Sequence, residues 1–253
     1  MRTSVIHKSR RAGDNGKDGL DRMSQRSIAR IAGLLYLAYI VIFAASQFIQ
    51  GKPIVWGDAA ATANAIVASQ EMFRLGVTLE LIAALLFLLT AWSLYALFKP
   101  VNKDLALLFL LLNLVGVSIE CVDTMIHFAA LLLDTGSAPM AAFKPDQLQT
   151  LGLIFLHVSG IGSMACTLFY GVWLFPLGVL AIQSRMLPKI FGILLILDGT
   201  SLLICFLQMW FFPGYEKWLY PLYPVMFIAE CGLGLWLAIK GVKDRAATPA
   251  VAG

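Results

Sequence analysis

Seven ionisable residues, Glu80, Glu120, Asp123, His127, His157, Asp198 and Glu230, lie inside long apolar runs. A charged side chain at the centre of a hydrocarbon slab costs about 2.5–3.5 kcal/mol on insertion scales. Such groups therefore turn towards protein or water, and they mark proton relays, solute pathways or helix contacts. The run from Leu105 to Leu133 carries the densest set. Its Asn113, Gly116, Glu120, Asp123 and His127 are spaced 3, 4, 3 and 4. On a helix these five fall within an arc of about 80° and extend about 21 Å along one face. Three chemistries suit such a stripe. The groups can pair with polar atoms of neighbouring helices and fix their register. They can line a watery site that passes protons or a small solute, with the histidines as counter-ions or relay ends. They can also hold a metal through His127 and His157, since imidazole and carboxylate are ordinary transition-metal ligands. Neither His-x-x-x-His nor Glu-x-x-His spacing occurs, and two histidines are a weak basis for haem. No cofactor is expected.

The composition explains why these positions count as intramembrane. Of 253 residues, 59% are hydrophobic and 13% charged, with a mean hydropathy of +0.80. A soluble domain carries about 25% charged residues, so the water-facing surface of a soluble fold is missing. Six runs reach the roughly 20 apolar residues that a span needs: 28–49, 75–98, 105–133, 151–182, 190–212 and 222–239. Without period-2 alternation they predict an all-α polytopic bundle rather than a barrel. The third and fourth runs exceed one span and should tilt, kink or project, the fourth kinking at Pro176. Asp58 before an Ala-rich stretch predicts a capped short helix at the outer surface. The first run follows a basic flank, but its length exceeds a signal-peptide core, so it reads as an uncleaved span.

Basic residues set the orientation. Eight of the 19 Lys and Arg precede or open the first span, up to Arg30, and Lys99, Lys103, Arg185, Lys189, Lys240, Lys243 and Arg245 share that side. Only Lys52, Arg74, Lys144 and Lys217 fall on the other. By the positive-inside rule both termini are cytoplasmic, and the net charge of +4 reports topology rather than nucleic-acid affinity. The aromatic, proline-containing segment from Trp210 to Pro224 reads as an outer interfacial belt, with a ligand-facing lid as the alternative. Trp92, Tyr95 and Trp236 mark the inner interface. The four cysteines lie in apolar runs with no CxxC pair, the pattern of buried, inert thiols.

With that orientation, Glu80 and His157 lie about 9 Å in from the outer ends of their spans and Glu230 about 12 Å in. Glu120, Asp123 and His127 share the outer half. The expected site is thus an outer-half polar cluster of Glu80, Glu120, Asp123, His127, His157 and Glu230, with Asn113 and Asp198 secondary. Asp198 belongs to the inner half or midplane. So many acids at one depth cannot all carry charge cheaply, and at least one is expected to be protonated at neutral pH.

Residues 1–26 form a polar, basic tail expected to be disordered, with Met23 the expected native start, so that 1–22 would be an over-extended reading. Residues 27–243 form the transmembrane domain, and 244–253 a second disordered tail. Three segments carry a resemblance: Arg74-Leu75-Gly76-Val77-Thr78-Leu79-Glu80, the stretch from Gly171 to Pro188 with its Ser184-Arg185 turn, and Glu230-Cys231-Gly232-Leu233-Gly234-Leu235-Trp236. From Ser27 to Lys243 the chain resembles a bacterial membrane-protein family grouped as domain of unknown function 4386. That resemblance implies a multi-pass protein of the bacterial cytoplasmic (inner) membrane and brings no reaction, ligand or catalytic residue. The leading functional expectation is a small-solute or proton-linked membrane protein that uses the outer-half cluster. The alternatives are a membrane-embedded metal-dependent enzyme, which is less favoured, and a structural or accessory subunit without chemistry. The expected partners are membrane lipid and a small molecule or proton, with no nucleic acid and the oligomeric state left open.

Overall fold

A computed structural model describes residues 24–134 and 142–243, and both tails lie outside the described residues. Among the described residues the chain is helical without strands. The helices are α1 (Gln25–Gly51), α2 (Ala59–Ala68), α3 (Gln70–Phe98), α4 (Lys103–Asp134), α5 (Pro145–Ser184), α6 (Lys189–Phe211) and α7 (Tyr223–Ile239), with a 3-10 turn over Glu216–Leu219. Local chemistry sets several boundaries. Ser24 caps α1 by accepting from the Ser27 N–H at 3.1 Å, and Asp58 caps α2 through the Ala61 N–H at 2.9 Å. Pro145 opens α5 at a position where its missing N–H costs nothing. The helix then runs on through Pro176 for 40 residues, about 60 Å.

Five helices, α1, α3, α4, α5 and α6, are long and apolar enough to cross a membrane. This is the architecture of a multi-pass membrane protein. The sixth expected segment forms α7, which is apolar but only 17 residues long. Its shortness has a local cause: Pro213, Gly214 at φ +97° and Pro221 break the chain between Phe211 and Tyr223.

The helix pairings run α1–α3, α3–α4, α4–α5, α5–α6, α6–α7 and α7–α1, closing a ring of six. Its centre is filled. Tyr36, Phe87, Leu94, Phe109, Trp173, Leu174 and Leu177 are fully buried there, and Phe87 meets Trp173 edge-on at 5.1 Å between ring centroids. The outer faces expose Leu34, Val41, Leu85, Leu111, Ile154 and Ile193, an apolar coat that suits lipid and would be a liability in water. The end of α6 and the α6–α7 connection expose Trp210, Phe212, Tyr215, Trp218 and Tyr220, and the Trp and Tyr rings among them are amphipathic and of the kind enriched at membrane interfaces.

α5 and α6 meet at two glycine pairs. A Cβ on Gly192 would lie 2.6 Å from the Gly178 carbonyl oxygen, and one on Gly199 would lie 2.7 Å from that of Gly171. Seven residues separate the pairs on each helix, so one seam repeats after two turns. Gly160, by contrast, has nothing within 4 Å of an added Cβ. Gly192→Val should therefore lower stability by about 1–3 kcal/mol through forced helix separation. Gly160→Ala should be neutral or raise it by up to about 1 kcal/mol through helix propensity. Thermal unfolding of both variants in detergent checks the contrast.

Candidate functional site

The polar stripe of α4 faces α5, which answers it residue by residue. Ser159, Ser163, Cys166 and Tyr170 recur at spacings of 4, 3 and 4 on α5, and the helices run antiparallel, so ascending numbers on one meet descending numbers on the other. The Tyr170 hydroxyl donates a hydrogen bond to Glu120 Oε2. Ser163 Oγ donates to Asp123 Oδ2 at 2.8 Å. Ser159 Oγ meets His127 Nδ1 at 3.2 Å, and Phe73 of α3 packs its ring 5.2 Å from the imidazole. Two glycines make room for this ladder. A Cβ on Gly116 would run into the Tyr170 ring, and one on Gly162 would run into the Asp123 carboxylate.

Each of the three α4 groups is half satisfied. Glu120 Oε1, Asp123 Oδ1 and His127 Nε2 are buried and have no hydrogen-bond partner in the protein. A buried polar atom without a partner carries a desolvation cost of about 1–3 kcal/mol. Three in succession along about 10 Å of one helix face distinguish this seam from an ordinary helix contact. Cys166 is buried on the same face, within electrostatic reach of Glu120 and Asp123.

Glu80 joins the ladder from α3. It accepts a 2.8 Å hydrogen bond from Gln50 Nε2 of α1, which also donates to Ser46 at 2.9 Å, and it interacts electrostatically with Glu120 and Asp123. Asn113 is fully buried two turns from Glu120 on α4, with neither amide atom bonded to protein.

The other expected residues go elsewhere. His157 is exposed, its ring 4.8 Å from that of Trp56, because it lies two residues from Ser159 and so points to the opposite side of α5. The two histidines are therefore not brought together. Glu230 is half-buried on α7 and pairs electrostatically with Asp198 of α6 rather than with the α4 acids. Asp198 is 0% exposed with both carboxyl oxygens unpartnered. Tyr36 of α1 turns its fully buried hydroxyl to this second pair. Depth explains the regrouping: Asp198 is nine residues from the start of α6 and Glu230 nine from the end of α7, so the two sit level. Among the described residues no group of three or more His, Cys, Asp or Glu is arranged to hold a metal ion.

Tyr170, Ser163, Ser159, Gln50 and Tyr36 are the residues that sequence reasoning missed. For the α5 set a signal existed, since its 4-3-4 spacing complements the 3-4-3-4 of α4. For Gln50 and Tyr36, single polar groups near span ends or among aromatics, none did.

A family model described as domain of unknown function (DUF4386) matches residues 31–241. The chain belongs to that family. No curated protein and no solved structure matches it. The matched range holds the α4–α5 ladder, Glu80 and the Asp198–Glu230 pair, so all three are features of the family domain in this chain rather than of its tails.

Tyr170→Phe keeps the ring beside Gly116 and removes only the donor to Glu120. It should lower stability by about 1–3 kcal/mol, because a buried carboxyl oxygen loses its partner. The paired variant Tyr170→Phe/Glu120→Leu should recover part of that loss. A thermal-unfolding cycle of wild type, Tyr170→Phe, Glu120→Leu and the double variant reads the coupling.

Proposed function

We propose that this protein binds and exchanges a proton at the α4–α5 ladder, as part of a proton-linked function in the bacterial cytoplasmic membrane. The observation that carries the reading is the row of half-satisfied groups, Glu120, Asp123 and His127, each anchored by a hydroxyl or ring nitrogen contact on one side and unpartnered on the other. Such groups can take up and release a proton without losing the contact that positions them. Charge argues the same way. Glu80, Glu120, Asp123, Asp198 and Glu230 lie in helices whose Lys and Arg are confined to the ends. Five carboxylates in a hydrocarbon environment without cationic neighbours are compensated most cheaply by protons. The aromatic filling of the ring's centre favours a proton over a bulky solute.

In this reading α7 is a sixth span and both termini face the cytoplasm. The geometry supports it through the meeting of the two ends: a Cβ on Gly241, just after α7, would lie 2.9 Å from the Arg26 side chain at the start of α1. A helix of 17 residues covers about 25 Å, short of the hydrocarbon core by a few ångströms that local thinning accommodates.

Two measurements test these statements separately. Reporter fusions after Lys103, Lys189 and Lys243 should be cytoplasmic and those near Asp58, Lys144 and Glu216 external. One reversed sign removes the six-span topology. Infrared spectroscopy of the protein in lipid discs at neutral pH should show the carbonyl stretch of a protonated carboxylic acid, sensitive to D2O and diminished in Glu120→Gln or Asp123→Asn. A spectrum without that band, or with a band indifferent to these substitutions and to Glu80→Gln, removes the proton reading.

A further inference from the structure

At the end of the bundle where α1 begins and α7 ends, three segments line a half-open cavity of about 690 Å³. Four of its lining residues are cationic, Arg26, Arg185, Lys240 and Lys243, and none is acidic. We propose that this cavity is a binding site for the phosphate headgroup of an anionic phospholipid. The site is independent of the α4–α5 ladder and does not rest on the proton reading.

The convergence is built into the backbone. α5 ends at Ser184, whose hydroxyl donates to the Ala181 carbonyl and accepts from the Met186 N–H. Arg185 follows at φ 54°, a left-handed conformation that glycine takes freely and an L side chain rarely. The chain thus carries an arginine where a glycine would make the same turn more easily. Gly241 takes the matching turn after α7 at φ 66°, and the Lys243 N–H then donates to the Met186 carbonyl at 3.3 Å. These two turns bring Arg185 and Lys243 into one concavity with Arg26.

A topological charge bias alone would spread cations around the rim of the bundle, and it does not require them to share a pocket. Four like charges in one cavity repel unless an anion sits among them. The start of α6 adds to the attraction: Pro188 lines the cavity and its helix N-terminus has no side-chain cap, leaving backbone N–H groups to an anion.

The rest of the lining identifies a lipid rather than a soluble phosphate. Met186, Leu187, Val242 and Trp236 give the cavity an apolar wall. Lys240 lies over the Trp236 ring with Nζ 4.3 Å from its centroid, an arrangement that suits the headgroup level of a bilayer. Charge beside grease at a helix-bundle end is the chemistry of a phosphodiester with acyl chains attached.

The test is a native mass-spectrometry titration of the full-length protein with phosphatidylglycerol and with phosphatidylcholine. Phosphatidylglycerol should bind more tightly. Arg185→Gly relieves the left-handed turn, so it should fold at least as well as wild type, yet bind roughly fivefold more weakly. Adding Lys243→Gln should bring the loss to roughly 30-fold. Lys103→Gln, at the other turn on this side, should leave binding unchanged. Equal affinity for the two lipids, full affinity in the Arg185→Gly/Lys243→Gln variant, or an equal loss in Lys103→Gln would overturn the proposal. Displacement of the lipid by glycerol phosphate at equal concentration would overturn the lipid assignment in favour of a soluble phosphate.

Discussion

A carboxyl group that enters hydrocarbon must find its partners within the protein, and in this bundle that requirement fixes the contact between α4 and α5. Turning α4 by a third of a revolution would put Glu120 and Asp123 into lipid. Sliding it by one turn would part Asp123 from Ser163 and push the Tyr170 ring off Gly116. Hydrogen bonds between transmembrane helices contribute only about 0.6–2 kcal/mol each, yet three in line, two of them with a glycine clearance, exclude neighbouring registers together. The position of α5 in turn sets α6, since Gly171 and Gly178 must meet Gly199 and Gly192.

The two faces of α5 show two ways of holding helices without a hydrophobic driving force. Towards α6 the contact is dry and close, glycine against glycine, with dispersion and backbone approach as the attraction. Towards α4 it is polar, and glycine serves a different purpose: Gly116 and Gly162 provide room for a tyrosine ring and a carboxylate. A dry seam has no spare valence and supplies rigidity. The polar seam keeps Glu120 Oε1, Asp123 Oδ1 and His127 Nε2 unbonded to protein, which costs stability.

The helical architecture was legible because composition and span length are properties of single segments. The stripe on α4 was legible for the same reason, since its period is local. What the stripe would meet was not, because partner choice depends on which helices are adjacent and on their relative height. Depth counted from the outer end of its run groups Glu230 with the α4 acids, whereas distance from the end of α7 sets it level with Asp198. His157 was placed by depth alone. Depth carries no information about azimuth, and two residues along α5 separate the exposed His157 from the buried Ser159. Glu230 therefore needs the structure for height and His157 for direction, while Tyr170 taken alone reads as packing and is marked only by the spacing it shares with Ser159, Ser163 and Cys166.

The two acidic groups are also not strangers to each other. Tyr39 of α1 interacts electrostatically with both Glu230 and Glu120, stacks on Phe87 at 4.2 Å, and has Tyr36 at 6.1 Å between centroids. Phe87 in turn meets Tyr170 edge-on at 5.0 Å. An aromatic seam thus joins the Asp198–Glu230–Tyr36 group to the Glu120–Tyr170 contact through the middle of the ring. Packed rings conduct no protons themselves, but they tie the positions of two tyrosine hydroxyls together. Each of the two carboxyl groups thus has a tyrosine beside it, and both tyrosines pack on Phe87. Because a close-packed core tolerates little displacement of any one ring, the two acidic groups are built on one shared aromatic layer rather than in separate compartments.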